Sequence, residues 1–229
     1  MSEDLAISPS AKDWDSYWLA QKTSQSVYSF IAKIYRKVVI SRSLSRSFKR
    51  HVPQHALCLH AGAGSGEVDI PLHSKWQVIG LDFSYQAVAK YHLIHTKKKS
   101  VLQADNFDLP FPDSSFDCVF NLGVMEHFTL TEIHEMMSEF NRVLVPGGKM
   151  ILFWPPTYGL SVVVLKIFHQ VARRIQPDFK PLHPQEISLI SSRKSVKVLL
   201  EQARFNLVEF RFELRDAFTH EVVIAQKHE

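Results

Sequence analysis

The chain has 229 residues, 45% apolar and 22% charged, which suits one sizeable globular domain with appendages. No apolar run approaches the roughly 20 residues that span a bilayer. The best candidate, LSVVVLKIF, is short and carries Lys166, and MSEDLAISPS lacks a basic-then-apolar leader, so a cytoplasmic protein is expected. The net charge of +4 is uneven, because Ser16–Gly66 holds eight Lys or Arg and no acid, which points to an anionic partner for that segment.

The first dozen residues are polar, and DWDSYW (13–18) follows. Val27, Ile31, Ile34, Tyr35 and Val38 then share one helical face, with Lys33, Arg36 and Lys37 opposite. SRSLSRSFKRH continues that pattern until His51-Val52-Pro53 breaks it. From residue 56 strands alternate with helices. ALCLHA (56–61) is a strand, GEVDIPL opens a helix that Pro71 cuts short, and WQVIGLD (76–82) is the second strand. SYQAVAKYHLIH (84–95) is a helix capped by Ser84. SVLQAD (100–105) and FDCVFNL (116–122) are the third and fourth strands. TLTEIHEMMSEFNRVL (129–144) is a helix stopped by Pro146-Gly147-Gly148, and KMILFW (149–154) is the fifth strand. An amphipathic helix at 158–175, a helix at 195–203 and a closing hairpin of FNLVEFRFEL and HEVVIAQK across RDAFT complete the reading.

Strands separated by helices require right-handed crossovers and a parallel sheet, and these strands are apolar on both faces. A doubly wound, mostly parallel α/β fold is therefore expected. Residues 1–53 read as an N-terminal helical extension and 54–229 as the core domain, with a helical insertion at about 157–194. Cys58 and Cys118 both fall in strands and are expected to be buried and reduced.

The glycines at 62, 64 and 66 follow the first strand, where bare backbone at a helix N-terminus admits a ligand closely. Asp82 ends the second strand, where a carboxylate accepts from both hydroxyls of a ribose. Asp105 ends the third strand, where it accepts from an exocyclic amine, and Asn106 donates to a ring nitrogen. The third glycine comes one residue too early for a dinucleotide fingerprint, which argues against a nicotinamide enzyme.

CLHAGAGSG, VIGLDFS, ADNFDLPFPDSSFDCVFNLGVMEHF and EFNRVLVPGGKMILFWPP, in this order, resemble the Rossmann-like, class I S-adenosylmethionine-dependent methyltransferases, in particular the small-molecule branch with LPFPDxSFD. The resemblance implies a seven-stranded sheet with its last strand antiparallel. It also implies that Gly62, Gly64 and Gly66 approach the methionine and ribose, that Asp82 holds the ribose and Phe83 packs on the adenine. Asp105 and Asn106 would read the adenine edge, and Asn121, Leu122 and Gly123 would lie near the methionine and its methyl. One position departs, since His60 stands where the family usually has an acid that organises the cofactor's ammonium.

For the acceptor, the N-terminal segment that often closes the site in this family offers Trp14, Tyr17 and Trp18, which could cover a ring or apolar substrate or simply pack in the core, and Tyr158 lies where the fifth strand delivers residues to the pocket. His127 is the candidate general base, with Glu126 beside it; packing at the start of the next helix is the plainer reading of His127. No His or Cys spacing matches a metal site, so none is expected. The expected activity is methyl transfer to a small-molecule or lipid-linked acceptor, with O-methylation favoured. The basic amphipathic helices suit peripheral binding to an anionic membrane or, more plainly, packing on the sheet. A catalytically degenerate partner subunit is the rival reading, suggested by His60. RNA methylation is less favoured, because no RNA-binding module is evident.

Overall fold

The computed structural model describes residues 8–23, 34–95, 100–159, 174, 184–212 and 219–229. Most of the expected helix at 158–175, part of that before residue 41, and most of RDAFT lie outside the described residues.

Seven strands form one sheet: β1 (Leu57–Ala61), β2 (Gln77–Asp82), β3 (Val101–Gln103), β4 (Phe116–Leu122), β5 (Leu144–Trp154), β6 (Phe205–Arg211) and β7 (Glu221–Lys227). Their order is β3-β2-β1-β4-β5-β7-β6. The neighbours from β3 to β5 pair in parallel, and β7 runs antiparallel to both β5 and β6. The order reverses between β1 and β4, so the crossover helices leave in opposite directions there and a crevice opens beyond the strand ends.

Among the described residues, five helices flank the sheet: α1 (Ala11–Thr23), α2 (Ser41–His51), α3 (Tyr85–Ile94), α4 (Leu130–Val143) and α5 (Arg193–Gln202). Leu59, Val119, Met150 and Leu152 point to the face covered by Ile133, Met136 and Phe140 of α4 and Leu200 of α5. Cys58, Phe120, Ile151 and Phe153 point to the other face, under Leu44 and Phe48 of α2. This two-sided burial is why the strands read as apolar runs. Cys58 and Cys118 are register partners in neighbouring strands, and both are buried free thiols. The serines of α2 turn inward, where Ser43 and Ser47 are buried and let the helix approach closely.

Ser84 caps α3 by accepting from the Ala87 amide, and Thr129 with Glu132 forms a reciprocal capping box on α4; each is worth about 1 kcal/mol. Three expectations change. β5 starts at Leu144, so Pro146-Gly147-Gly148 lies within the strand rather than before it. β3 keeps only three residues. Arg36–Ile40 is a π-helical turn, closed by the Ser41 amide bonding back to Arg36. Its extra residue per turn rotates the face, leaving Ile34 and Val38 exposed. No helix of the described residues is long and apolar enough to cross a membrane.

Candidate functional site

β1 delivers the chain into the glycine loop at the switch point. Gly62, Gly64 and Gly66 have φ of +71°, +54° and +69°, a region that costs other L-residues about 1–2 kcal/mol. A Cβ at Gly64 would lie 2.8 Å from Trp18 Cζ2, one at Gly62 2.5 Å from Val124 Cγ2, and one at Gly66 2.4 Å from Tyr91 Cε2. The protein's own side chains thus crowd this backbone. The expected helix after the loop does not form. Turn bonds from Asp69 to Gly66 (3.3 Å) and from Leu72 to Asp69 (2.8 Å) lead instead to a short 3-10 turn at Leu72–Ser74. Pro71 has no N–H for a helical bond to Glu67, and its ring would clash with that carbonyl. The loop is held by Asp82, which accepts from the Gly64 amide at 2.8 Å and the Ser84 amide at 2.9 Å. Burial raises the Asp82 carboxyl, and these two amide bonds oppose the rise.

Beyond the strand ends lies a cavity of about 340 Å³. His60, Gly62, Gly64, Gly66, Asp82, Phe83, Asp105, Asn106, Leu122 and Gly123 all line it, as do Trp14, Tyr17, Trp18 and His127. Asp105 is exposed and accepts from the Phe107 amide at 3.1 Å. Asn106 Oδ1 is buried with no partner among the described residues, an acceptor suited to a ligand amine. Two expected residues are not among those lining the cavity. Asn121 is fully buried within the sheet, where its Nδ2 donates to the Ala61 carbonyl at 2.9 Å and ties β4 to β1. Tyr158 stands on the outer surface, edge-on to Phe212, and its hydroxyl donates to Glu221 at 2.5 Å.

His60 is buried, stacks on Phe120 with ring centroids 4.3 Å apart, and places Nδ1 2.7 Å from Asp69 Oδ2. Burial pushes the Asp69 carboxyl up, but His60, His73 and His95 together outweigh it and hold the carboxyl well below the usual range. An ionised carboxylate can only accept, so His60 Nδ1 donates, and the other nitrogen of a neutral ring accepts. Sequence reasoning missed Asp69, since GEVDIPL carries no motif that marks it.

α1 covers the cavity. Asp15 fastens it to the turn after β2, accepting from Ser84 Oγ at 2.6 Å and the Gln86 amide at 3.1 Å. Trp14, Tyr17 and Trp18 form an edge-to-face ladder, and Trp14 meets His127 edge-on at 5.0 Å. Glu126 and His127 sit in a 3-10 turn, Met125–His127, immediately after β4. His127 Nδ1 is 2.9 Å from the Gln185 carbonyl, which only accepts, so Nδ1 carries the proton and Nε2 of the neutral ring is an acceptor. Glu126 is buried, and Oε2 has no partner among the described residues. Burial pushes its carboxyl up to about 8, its own amide opposes, and Glu186 adds to the rise. Arg36 also lines the cavity, contrary to its expected place on a solvated face.

The "Methyltransferase domain" family model matches residues 59–152. The chain is 28% identical over 109 residues to a probable tRNA methyltransferase 9B of Bos taurus, covering 47% of this chain and 23% of that protein. The chain thus spans about a quarter of that relative's length. It is 25% identical to a demethylmenaquinone methyltransferase of Thermus thermophilus, covering 79% of this chain and 83% of that one. Its fold superposes with a TM-score of 0.64, at 16% identity and 93% coverage of both chains, on magnesium protoporphyrin IX methyltransferase from Synechocystis, solved with bound SAH. A glycine loop at the switch point, acids at the next two strand ends and a buried amide acceptor beside them suit an adenosyl group, and residues 59–152 accordingly match a methyltransferase-domain model within a fold shared with solved methyltransferases.

Proposed function

We propose that the chain methylates a small acceptor with a flat or apolar body, free or lipid-linked, and that a hydroxyl is the preferred nucleophile. The observation that carries this reading is the covered end of the cavity. There the aromatic ladder of α1 faces the buried polar pair Glu126 and His127. An aromatic-lined hollow covered at one end suits a ring better than a nucleic-acid strand, which needs an open basic groove. Similarity to demethylmenaquinone methyltransferases supports the same class of acceptor.

S-adenosylmethionine, when bound, supplies an electrophilic methyl on a positive sulfur. The chain's task is to align the nucleophile in a dry pocket, a positioning effect worth several kcal/mol, on the order of 7 or more when fully realised. We assign the ribose to Asp82, the adenine to Phe83, Asp105 and Asn106, and the methionine to the glycine loop with Leu122 and Gly123. The ammonium falls to His60, whose outer nitrogen accepts while Asp69 behind it holds the other nitrogen as the donor. His127 Nε2 takes the proton from the acceptor hydroxyl, and Glu126, protonated at neutral pH, donates a hydrogen bond to a neighbouring acceptor oxygen.

The test combines calorimetric titration with S-adenosylmethionine and mass-spectrometric screening of small-molecule extracts. Cofactor binding, and a product heavier by one methyl only when cofactor is present, is the expected result. Binding without any such product would favour the partner-subunit reading. No binding at millimolar cofactor would overturn the proposal.

A further inference from the structure

We infer that Asp69, His73 and His95 form a binding site for a divalent transition metal of the zinc type, behind the glycine loop. Asp69 and His73 lie one turn apart in the segment after the loop, and His95 caps the C-terminus of α3. Asp69, His73 and His95 each offer one ligand atom, and these atoms all lie within 4.8 Å of one another. Asp69 Oδ1 is 3.3 Å from His73 Nε2 and 3.2 Å from His95 Nε2. Bonds of about 2.0–2.1 Å in a tetrahedron give ligand separations of about 3.3 Å, so both edges already have the spacing a zinc ion requires.

A second observation points to a ligand. Asp69 is fully buried, yet Oδ1 makes no hydrogen bond of good geometry among the described residues, although His73 Nε2 and His95 Nε2 stand 3.3 and 3.2 Å from it. An ionised oxygen left so is costly, and a cation between the three atoms would satisfy it. The supporting contacts are also present. Asp69 Oδ2 is engaged by His60 at 2.7 Å and by the Tyr91 hydroxyl at 3.2 Å, the kind of outer hydrogen bonding that orients a ligating carboxylate. The His73 side chain is 11% exposed and gives the ion a way in from solvent. Two nitrogens and one oxygen suit Zn²⁺, Co²⁺ or Ni²⁺ and disfavour Mg²⁺ and Ca²⁺, which prefer oxygen. Metal binding would end the hydrogen bond that His95 Nε2 now gives to the Gly66 carbonyl at 2.9 Å, the proton of the neutral ring moving to Nδ1 as Nε2 takes the ion. The carbonyl stands beside the site as a further oxygen donor. The ion would thereby staple the glycine loop to α3, a contact the family resemblance does not predict.

The experiment uses the full chain, stripped by chelator and dialysed. Zinc content is measured after re-addition, and Co²⁺ is titrated while visible absorption is recorded. One ion per chain, intense tetrahedral Co²⁺ bands and their loss on adding Zn²⁺ are expected. His73→Gln and His95→Gln should each weaken Co²⁺ binding about 100-fold or more, and His228→Gln should leave it unchanged. Should both ligand variants misfold, X-ray absorption on the zinc-loaded parent decides, with two imidazoles in the first shell expected. A parent without stoichiometric metal at micromolar concentration, a shell without two imidazoles, or folded variants that bind like the parent would each overturn the proposal.

Discussion

Glu126→Gln isolates what a buried carboxyl with one unpartnered oxygen costs this fold. In the parent, burial holds the group near pKa 8, against an ordinary value of 4.5. The folded value is raised, so between these limits the unfolded chain releases the proton and the folded chain keeps it. Folding stability from this group is full below pH 4.5, falls as pH rises toward 8, and is level above it. At about 1.4 kcal/mol per pH unit, the contribution falls by roughly 2.5 kcal/mol between pH 5 and pH 7. Gln is nearly the same size and does not titrate. The difference in unfolding free energy, parent minus variant, should therefore fall by that amount over this interval and flatten above pH 8. Urea unfolding of the cofactor-free protein, followed by emission of the buried Trp76 and Trp154, measures both curves. Subtraction removes every other titrating group. Parallel curves for parent and variant would refute the reasoning and show that Glu126 reaches water or a counter-charge in solution.

Four further outcomes are expected. Gly64→Ala meets both a φ of +54° and Trp18 at 2.8 Å; it should lower stability by about 1–2 kcal/mol and weaken cofactor binding in calorimetry, and an unchanged protein would mean that α1 yields freely. Asp82→Asn turns one of two backbone acceptors into a donor facing an N–H, a loss of about 1–3 kcal/mol, read as a rise in cofactor Kd of about fivefold or more with an unaltered circular dichroism spectrum. Asp15→Ala removes both bonds from α1 to the β2–α3 turn, so limited proteolysis near α1 should accelerate while the main melting transition stays in place. His60→Asp restores the acid expected at this strand end but sets it against Asp69 in a buried site. An uncompensated buried charge costs about 3–5 kcal/mol, so this variant should be less stable than His60→Asn in thermal melts at neutral pH, and equal melting would show that the pair shares a proton.

The sheet was legible because each strand is a short apolar run and each crossover carries a cap. FDCVFNL is β4 without a residue's error, and Ser84 caps α3 as its sequence position requires. The cavity wall was legible for the same reason, since residues at strand ends are fixed by the strands: His60, Asp82, Asp105 and Gly123 arrive together. Failures came where position depends on what packs alongside. Asn121 alternates inward on β4 and spends its amide on β1. Tyr158 follows the strand far enough to leave the cavity altogether. Arg36 reached the cavity because a π-turn rotated a face that a 3.6-residue period had placed in solvent.

His60 is the most instructive case. Taken alone in the sequence, it looks like the loss of a charge that the cofactor's ammonium needs, and so like a sign of decay. The fold moves the charge rather than losing it. The turn that replaces the expected helix folds Asp69 back beneath β1, where it meets His60 at 2.7 Å. That turn exists because Pro71 stops a helix, and it is tolerated because Gly66 takes a φ of +69° under Tyr91 and His95. A histidine at the strand end and an aspartate nine positions later are thus one device, assembled by a proline and a glycine between them. Neither residue shows this by its own type, and no spacing rule links them. Only the reversal of the chain does, and it makes the pair a longer acid: a carboxylate that speaks to the cavity through an imidazole.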